Sequence, residues 1–85
     1  MELDFSKHAL EQMQLRNIKI DDAVNIYNNP NQIIIGNEVS VYQSIVIEKD
    51  GNYLIRIFVN HEKEPNLVIT AYKTSKISKY YEGEI

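Results

Sequence analysis

The stretch Val39-Ser40-Val41-Tyr42-Gln43-Ser44-Ile45-Val46-Ile47, then Lys49-Asp50-Gly51-Asn52, then Tyr53-Leu54-Ile55-Arg56-Ile57-Phe58-Val59-Asn60 decides the fold. Both arms are rich in β-branched and aromatic residues at a period of two. Asp-Gly readily supplies the positive φ angles of a tight turn, so the stretch predicts an antiparallel hairpin. Working outward, Leu67 to Lys73 predicts a further strand after the polar loop His61 to Asn66, and Ile33 to Ile35 a short one before the Gly36-Asn37 turn. Upstream the period becomes helical. Phe5 to Arg16 carries Ala9, Leu10 and Met13 on one stripe, with Ser6 placed to cap its start. Asn17 breaks that helix as a left-handed residue would. A second helix runs from Asp21, its N-cap, through Ala23, Val24, Ile26 and Tyr27 to the stop Asn28-Asn29-Pro30-Asn31. The short connection from Asn17 to Ile20 predicts an antiparallel helical hairpin. The expected fold class is α+β, with this N-terminal two-helix hairpin packed on one face of a four-stranded antiparallel sheet.

With 85 residues, 44% of them hydrophobic and 25% charged, the chain suits one domain spanning residues 1–85 around a small core. It contains no cysteine, which removes disulfides, thiolate zinc sites and thiol nucleophiles and fits a reducing compartment. No metal and no cofactor is implied. Met1 to Ser6 holds no apolar run, so neither a secretory signal nor a membrane span is expected, and the location expected is cytoplasmic. A net charge of -3 argues against a generic nucleic-acid binder, whose affinity comes from Lys and Arg neutralising phosphates. Any anion site must therefore be local. The segment 68–81 offers one, with Lys73, Lys76 and Lys79 and no acid.

Side chains alternate across a strand. Sorting by apolar content assigns Val41, Ile45, Ile47, Ile55, Ile57, Val59, Leu67, Ile69 and Ala71 to the helix-covered face. The other face then collects Tyr42, Ser44, Arg56, Asn60, Thr70, Tyr72 and Thr74. An antiparallel sheet can leave such a face simply solvated. Arg56 beside Tyr72 is more specific than solvation requires, because a fixed guanidinium takes phosphate in a bidentate way and a phenol can donate to or stack on a nucleotide. On the first helix His8, Gln12 and Arg16 follow at i, i+4 and share a stripe. His8 has the side chain best matched to acid/base work near neutral pH. Arg16 can serve an anion or merely the helix dipole. His61, between acids in a polar loop, reads as solvated. Tyr80-Tyr81 is expected to pack the tail back onto the sheet.

The order Phe5-Ser6-Lys7-His8-Ala9, Met13, Arg16-Asn17-Ile18, Asp21-Asp22-Ala23, Tyr42-Gln43, Leu54-Ile55-Arg56 and Val68-Ile69-Thr70-Ala71-Tyr72-Lys73-Thr74-Ser75-Lys76 resembles the bacterial family catalogued as domain of unknown function number 4258. That family in turn is similar to the barnase, EndoU, colicin and RelE-like group of small ribonuclease toxins. The resemblance implies two helices on an antiparallel sheet and a metal-independent endoribonuclease cleaving cellular RNA. It also implies a cognate antitoxin or immunity protein as partner, with a homodimer left open. Residue by residue, it implies a catalytic group of His8, Arg56, Tyr72 and Thr74, with Arg16, Tyr42, Lys73, Ser75 and Lys76 binding substrate. The alternative on the same fold is a non-catalytic protein-binding module, either a phage-encoded inhibitor or decoy or an antitoxin-dependent co-repressor.

Overall fold

The computed structural model describes residues 3–83. Its elements are β1 (Leu3–Phe5), α1 (Lys7–Leu15), α2 (Ile20–Asn28), β2 (Gln32–Ile34), β3 (Val39–Glu48), β4 (Gly51–Asn60), β5 (Asn66–Thr74) and α3 (Ile77–Tyr80). The α+β class with a single sheet holds. The sheet differs from expectation, having five strands in the order β1-β5-β4-β3-β2 with β1 parallel to β5, so it is mixed instead of four-stranded and antiparallel. Three residues are too few to display a period, and the Leu3 to Phe5 strand exists only because it meets Asn66 to Val68. Residues 1, 2, 84 and 85 of the expected domain lie outside the described residues.

Ser6 joins the new strand to the first helix. Its hydroxyl accepts from the Ala9 amide at 3.0 Å, as an N-cap does, and donates to the Ile69 carbonyl at 3.1 Å. Asn17 ends the helix with φ 60°, the left-handed conformation expected there. The second helix starts one residue earlier than expected. Lys19 is its N-cap, without a side-chain bond, and Asp21 stands with Asp22 in the first turn, where carboxylates favour the helix dipole. The two helices are not a mutually packed hairpin. α1 lies along β5 and α2 over β3 and β4, because the fully buried Ala9 and Ala23 let each helix settle onto the sheet itself.

The hairpin turn sets which side chains share a face. Glu48 pairs with Gly51 around the two-residue turn Lys49-Asp50, so every pair in β3 and β4 joins an odd number to an even one, as in Tyr42 with Ile57 and Gln43 with Arg56. Gly51 adopts φ 147°, which a side chain would resist. The assignment of β3 by apolar content is therefore reversed. Tyr42, Ser44 and Val46 share the helix-covered face with Ile55 and Ile57, whereas Val41, Ile45 and Ile47 lie on the other face with Leu54 and Phe58. A bulge between Phe58 and Val59 shifts β5 as well. Val68 now opposes Val59 inside the core, and Leu67 opposes Asn60 outside it. Ala9, Met13, Ile18, Ala23, Ile26, Ile55, Ile57, Val59, Val68 and Ala71 form the core. No helix among the described residues is long and apolar enough to cross a membrane.

Candidate functional site

One row of polar residues crosses the uncovered face at a single level. Gln32 on β2 pairs with Gln43 on β3, Gln43 with Arg56 on β4, and Arg56 with Tyr72 on β5. Their side chains are bonded in the same sequence. Gln43 Nε2 donates to Gln32 Oε1 at 2.6 Å, Arg56 Nε donates to Gln43 Oε1 at 2.8 Å, and Arg56 Nη1 donates to the Tyr72 hydroxyl at 2.8 Å. A guanidinium can only donate, so the carbonyl end of the Gln43 amide must face it. Gln43 itself is fully buried.

The C-terminal segment closes over this row. Thr74 Oγ1 accepts from the Lys76 amide at 3.1 Å and turns the chain out of β5. The short α3 then brings Tyr80 above the sheet, with its carbonyl accepting from Gln43 Nε2 at 3.3 Å. Gln32 holds the segment at two points, donating to the Glu82 carbonyl at 2.7 Å and accepting from the Glu82 amide at 3.0 Å. As expected, Tyr80 packs the tail onto the sheet.

Three rings surround the guanidinium. Arg56 Cζ lies 4.6 Å from the centroid of Tyr80, 5.3 Å from Phe58 and 5.7 Å from Tyr72. Arg16, at the end of α1, brings a second guanidinium to 5.9 Å from the Tyr72 ring. Arg56 pairs with no carboxylate among the described residues, the ion pair there being Lys73 with Glu48. Its Nε and Nη1 carry the hydrogen bonds to Gln43 and Tyr72, and none is made by Nη2 among the described residues. Tyr80 is held below the ordinary tyrosine value by the Tyr72 hydroxyl first, then by the Lys79 ammonium, with Arg56 adding to the effect. The site is thus a cation in an aromatic cradle that includes a phenol whose pKa is lowered.

The structure brings together Arg56, Tyr72 and Arg16, with Thr74 on the same face and shaping the exit of β5. Ser75 and Lys76 are exposed in the connection to α3. Three expected residues stand elsewhere. Tyr42 faces the helices and packs on Tyr27 with centroids 4.8 Å apart, and burial first, then Tyr27, raises its phenol above the ordinary value. Lys73 points away from Arg56 and is held by Glu48 at 3.0 Å over the ring of Tyr53. His8 is exposed at the opposite end of α1 from Arg16, about 12 Å along the axis at 1.5 Å per residue. Gln32, Gln43 and Tyr80 were missed as site residues. Gln43 stands opposite Arg56 because the turn residues are Lys49-Asp50, and Gln32 joins the row through the pairing of β2 with β3. Tyr80 was expected on the sheet but not at the cation, because only the docking of the tail sets it there.

The molecule is therefore an α+β domain with a cationic and aromatic face closed by its own tail. Residues 5–73 match the family described as Domain of unknown function (DUF4258), and the chain belongs to that family. The match includes Arg16, Arg56 and Tyr72 but not Tyr80 or the tail. No curated protein and no solved structure matches the chain.

Proposed function

We propose that this chain is a toxin-type, metal-independent endoribonuclease that cleaves cellular RNA in the cytoplasm and is neutralised by a cognate antitoxin or immunity protein. The observation that carries the reading is the Arg56 guanidinium, which has no carboxylate partner among the described residues and lies between the phenols of Tyr72 and Tyr80. The resemblance to small ribonuclease toxins supports it. In such a reaction the ribose 2′-oxygen attacks the adjacent phosphorus while its proton passes to a base. The bond to the 5′-oxygen then breaks as that oxygen gains a proton, leaving a 2′,3′-cyclic phosphate and a 5′-hydroxyl. Arg56 stabilises the charge that builds on the non-bridging oxygens, assisted by Arg16. Tyr80, its ring centroid 4.6 Å from the guanidinium carbon, has a lowered pKa that suits it to exchange the proton. The splayed bases of single-stranded RNA find stacking partners in the half-buried rings of Tyr72 and Tyr80. His8, at the far end of the α1 stripe, contacts a flanking nucleotide in this reading.

Cleavage of total RNA by purified protein tests it. Wild type is expected to cleave with EDTA present, and Arg56→Ala to lose about 10²-fold or more of the rate with an unchanged circular dichroism spectrum. His8→Ala is expected to lose less. An inert wild type, at concentrations comparable to the RNA, overturns the reading in favour of a non-catalytic protein-binding module.

A further inference from the structure

We propose that Gln43 is a positioning residue that keeps the Arg56 guanidinium unpaired and aimed, so that its full charge is available to a phosphodiester of single-stranded RNA. The inference rests on the reading that Arg56 holds phosphate, and it names the device that makes this possible. Directly across an antiparallel pair, the common stabilising partner of an arginine is a carboxylate. Here the opposing side chain has the length of glutamate without its charge. The buried Gln43 amide uses both ends. Its oxygen accepts from Arg56 Nε at 2.8 Å, while its nitrogen donates to Gln32 at 2.6 Å and to the Tyr80 carbonyl at 3.3 Å. A carboxylate there would face two acceptors and would neutralise the guanidinium. With Nε turned to Gln43 and Nη1 bonded to Tyr72, two of five N–H groups are engaged among the described residues. The three that remain lie on Nη1 and Nη2, the terminal fork that matches two phosphate oxygens. The rings of Tyr80, Phe58 and Tyr72 restrict the guanidinium without offering it a counter-charge.

The test follows the Arg56 Nε–H resonance by NMR while the protein is titrated with inorganic phosphate, and separately with a short single-stranded oligoribonucleotide. In wild type the resonance is expected to shift saturably, with the oligoribonucleotide binding at least about tenfold more tightly than phosphate. Gln43→Glu is expected to weaken both by more than about tenfold, as neutralising a charge-assisted bidentate contact should. Lys63→Ala, in the exposed loop between β4 and β5, removes a charge outside the polar row and is expected to bind within a few-fold of wild type. Should Gln43→Glu fail to fold, Gln43→Met, which is neutral but lacks the acceptor, is expected to weaken binding several-fold. Wild-type affinity in Gln43→Glu, or in Gln43→Met if it is the variant that folds, overturns the proposal, as does a wild type whose Arg56 resonance does not move. Equal affinity for phosphate and the oligoribonucleotide overturns its assignment to RNA. Cleavage is a separate readout. RNA bound through Gln43 but not cut supports the inference and removes the ribonuclease reading, whereas undiminished cleavage by Gln43→Glu does the reverse.

Discussion

The two faces of the sheet are built from alternate residues of the same strands and are ordered by different forces. On the helix-covered face Ile55, Ile57, Val59 and Ala71 meet Ala9, Met13, Ala23 and Ile26, and no charged residue enters that core. Its order comes from removing apolar surface from water, which is non-directional and tolerant of detail. On the other face Gln32, Gln43, Arg56 and Tyr72 are joined by hydrogen bonds of 2.6 to 2.8 Å and capped by the tail. Each bond there needs its partner at one register. The tyrosines record the contrast, since Tyr42 among the helices has its pKa raised by burial while Tyr80 over the cation has its pKa lowered. A face that only stabilises can be coarse, whereas a face that holds a cation by hydrogen bonds to neutral partners has to be exact in its pairing.

The sharpest way to break the comparison is Met13→Asp. Met13 is 2% exposed in the centre of the core, and an unpaired buried carboxylate costs several kcal/mol, comparable to the whole stability of a small domain. The variant is expected to be unfolded by circular dichroism at neutral pH, whereas Arg56→Ala on the opposite face keeps its spectrum. A folded Met13→Asp protein would place the core elsewhere.

A smaller effect sharpens the contrast between the phenols. Ultraviolet titration of tyrosinate is expected to show one group ionising below the ordinary value of 10.0, with Tyr80→Phe removing that early step and Tyr42→Phe removing a late one. The linkage has opposite signs at the two sites. The lowered Tyr80 contributes stability that is present above pH 10.0 and is lost as pH falls through its folded value. The raised Tyr42 contributes stability that is present below pH 10.0 and is lost as pH rises through its own. An early step that survives Tyr80→Phe would detach the tail from Arg56.

The smallest effect belongs to Lys73. Its pair with Glu48 is partly exposed, with side chains 16% and 40% accessible, so Lys73→Ala is expected to cost about 1 kcal/mol or less in urea denaturation. Because Lys73 faces away from Arg56, the same variant is expected to leave binding of the oligoribonucleotide unchanged. A large loss of binding would put this lysine back in the site.

Much of the architecture is visible in residue order alone. Ser6 as a cap and Asn17 as a left-handed stop are local chemistry, and the structure has both. The hairpin around Lys49-Asp50-Gly51 is equally local. The β3 faces were misread because Val41, Ile45 and Ile47 look like core when apolar content is counted alone, although the even-length turn dictates the opposite pairing. Counting residues through an even-length turn would have placed Tyr42 with the helices, whereas Gln43 meets Arg56 only because the turn residues are Lys49-Asp50 and not Asp50-Gly51.

What the sequence by itself determined is the set of local elements, α1, α2 and the strands from β2 to β5, together with the candidacy of Arg56 and Tyr72. Caps, turns and periodicity act over a few residues and are written in neighbouring positions. Only the tertiary structure decided that Leu3 to Phe5 joins the sheet beside β5, that each helix lies on the sheet instead of on the other, and that a bulge turns Val68 inward. It alone laid the tail across the polar row with Tyr80 above Arg56. The docked tail and the β1 edge depend on contacts between distant segments, 37 residues apart for Gln43 with Tyr80 and 63 for Ser6 with Ile69. Their energy exists only once the chain has closed, so no local pattern announces them.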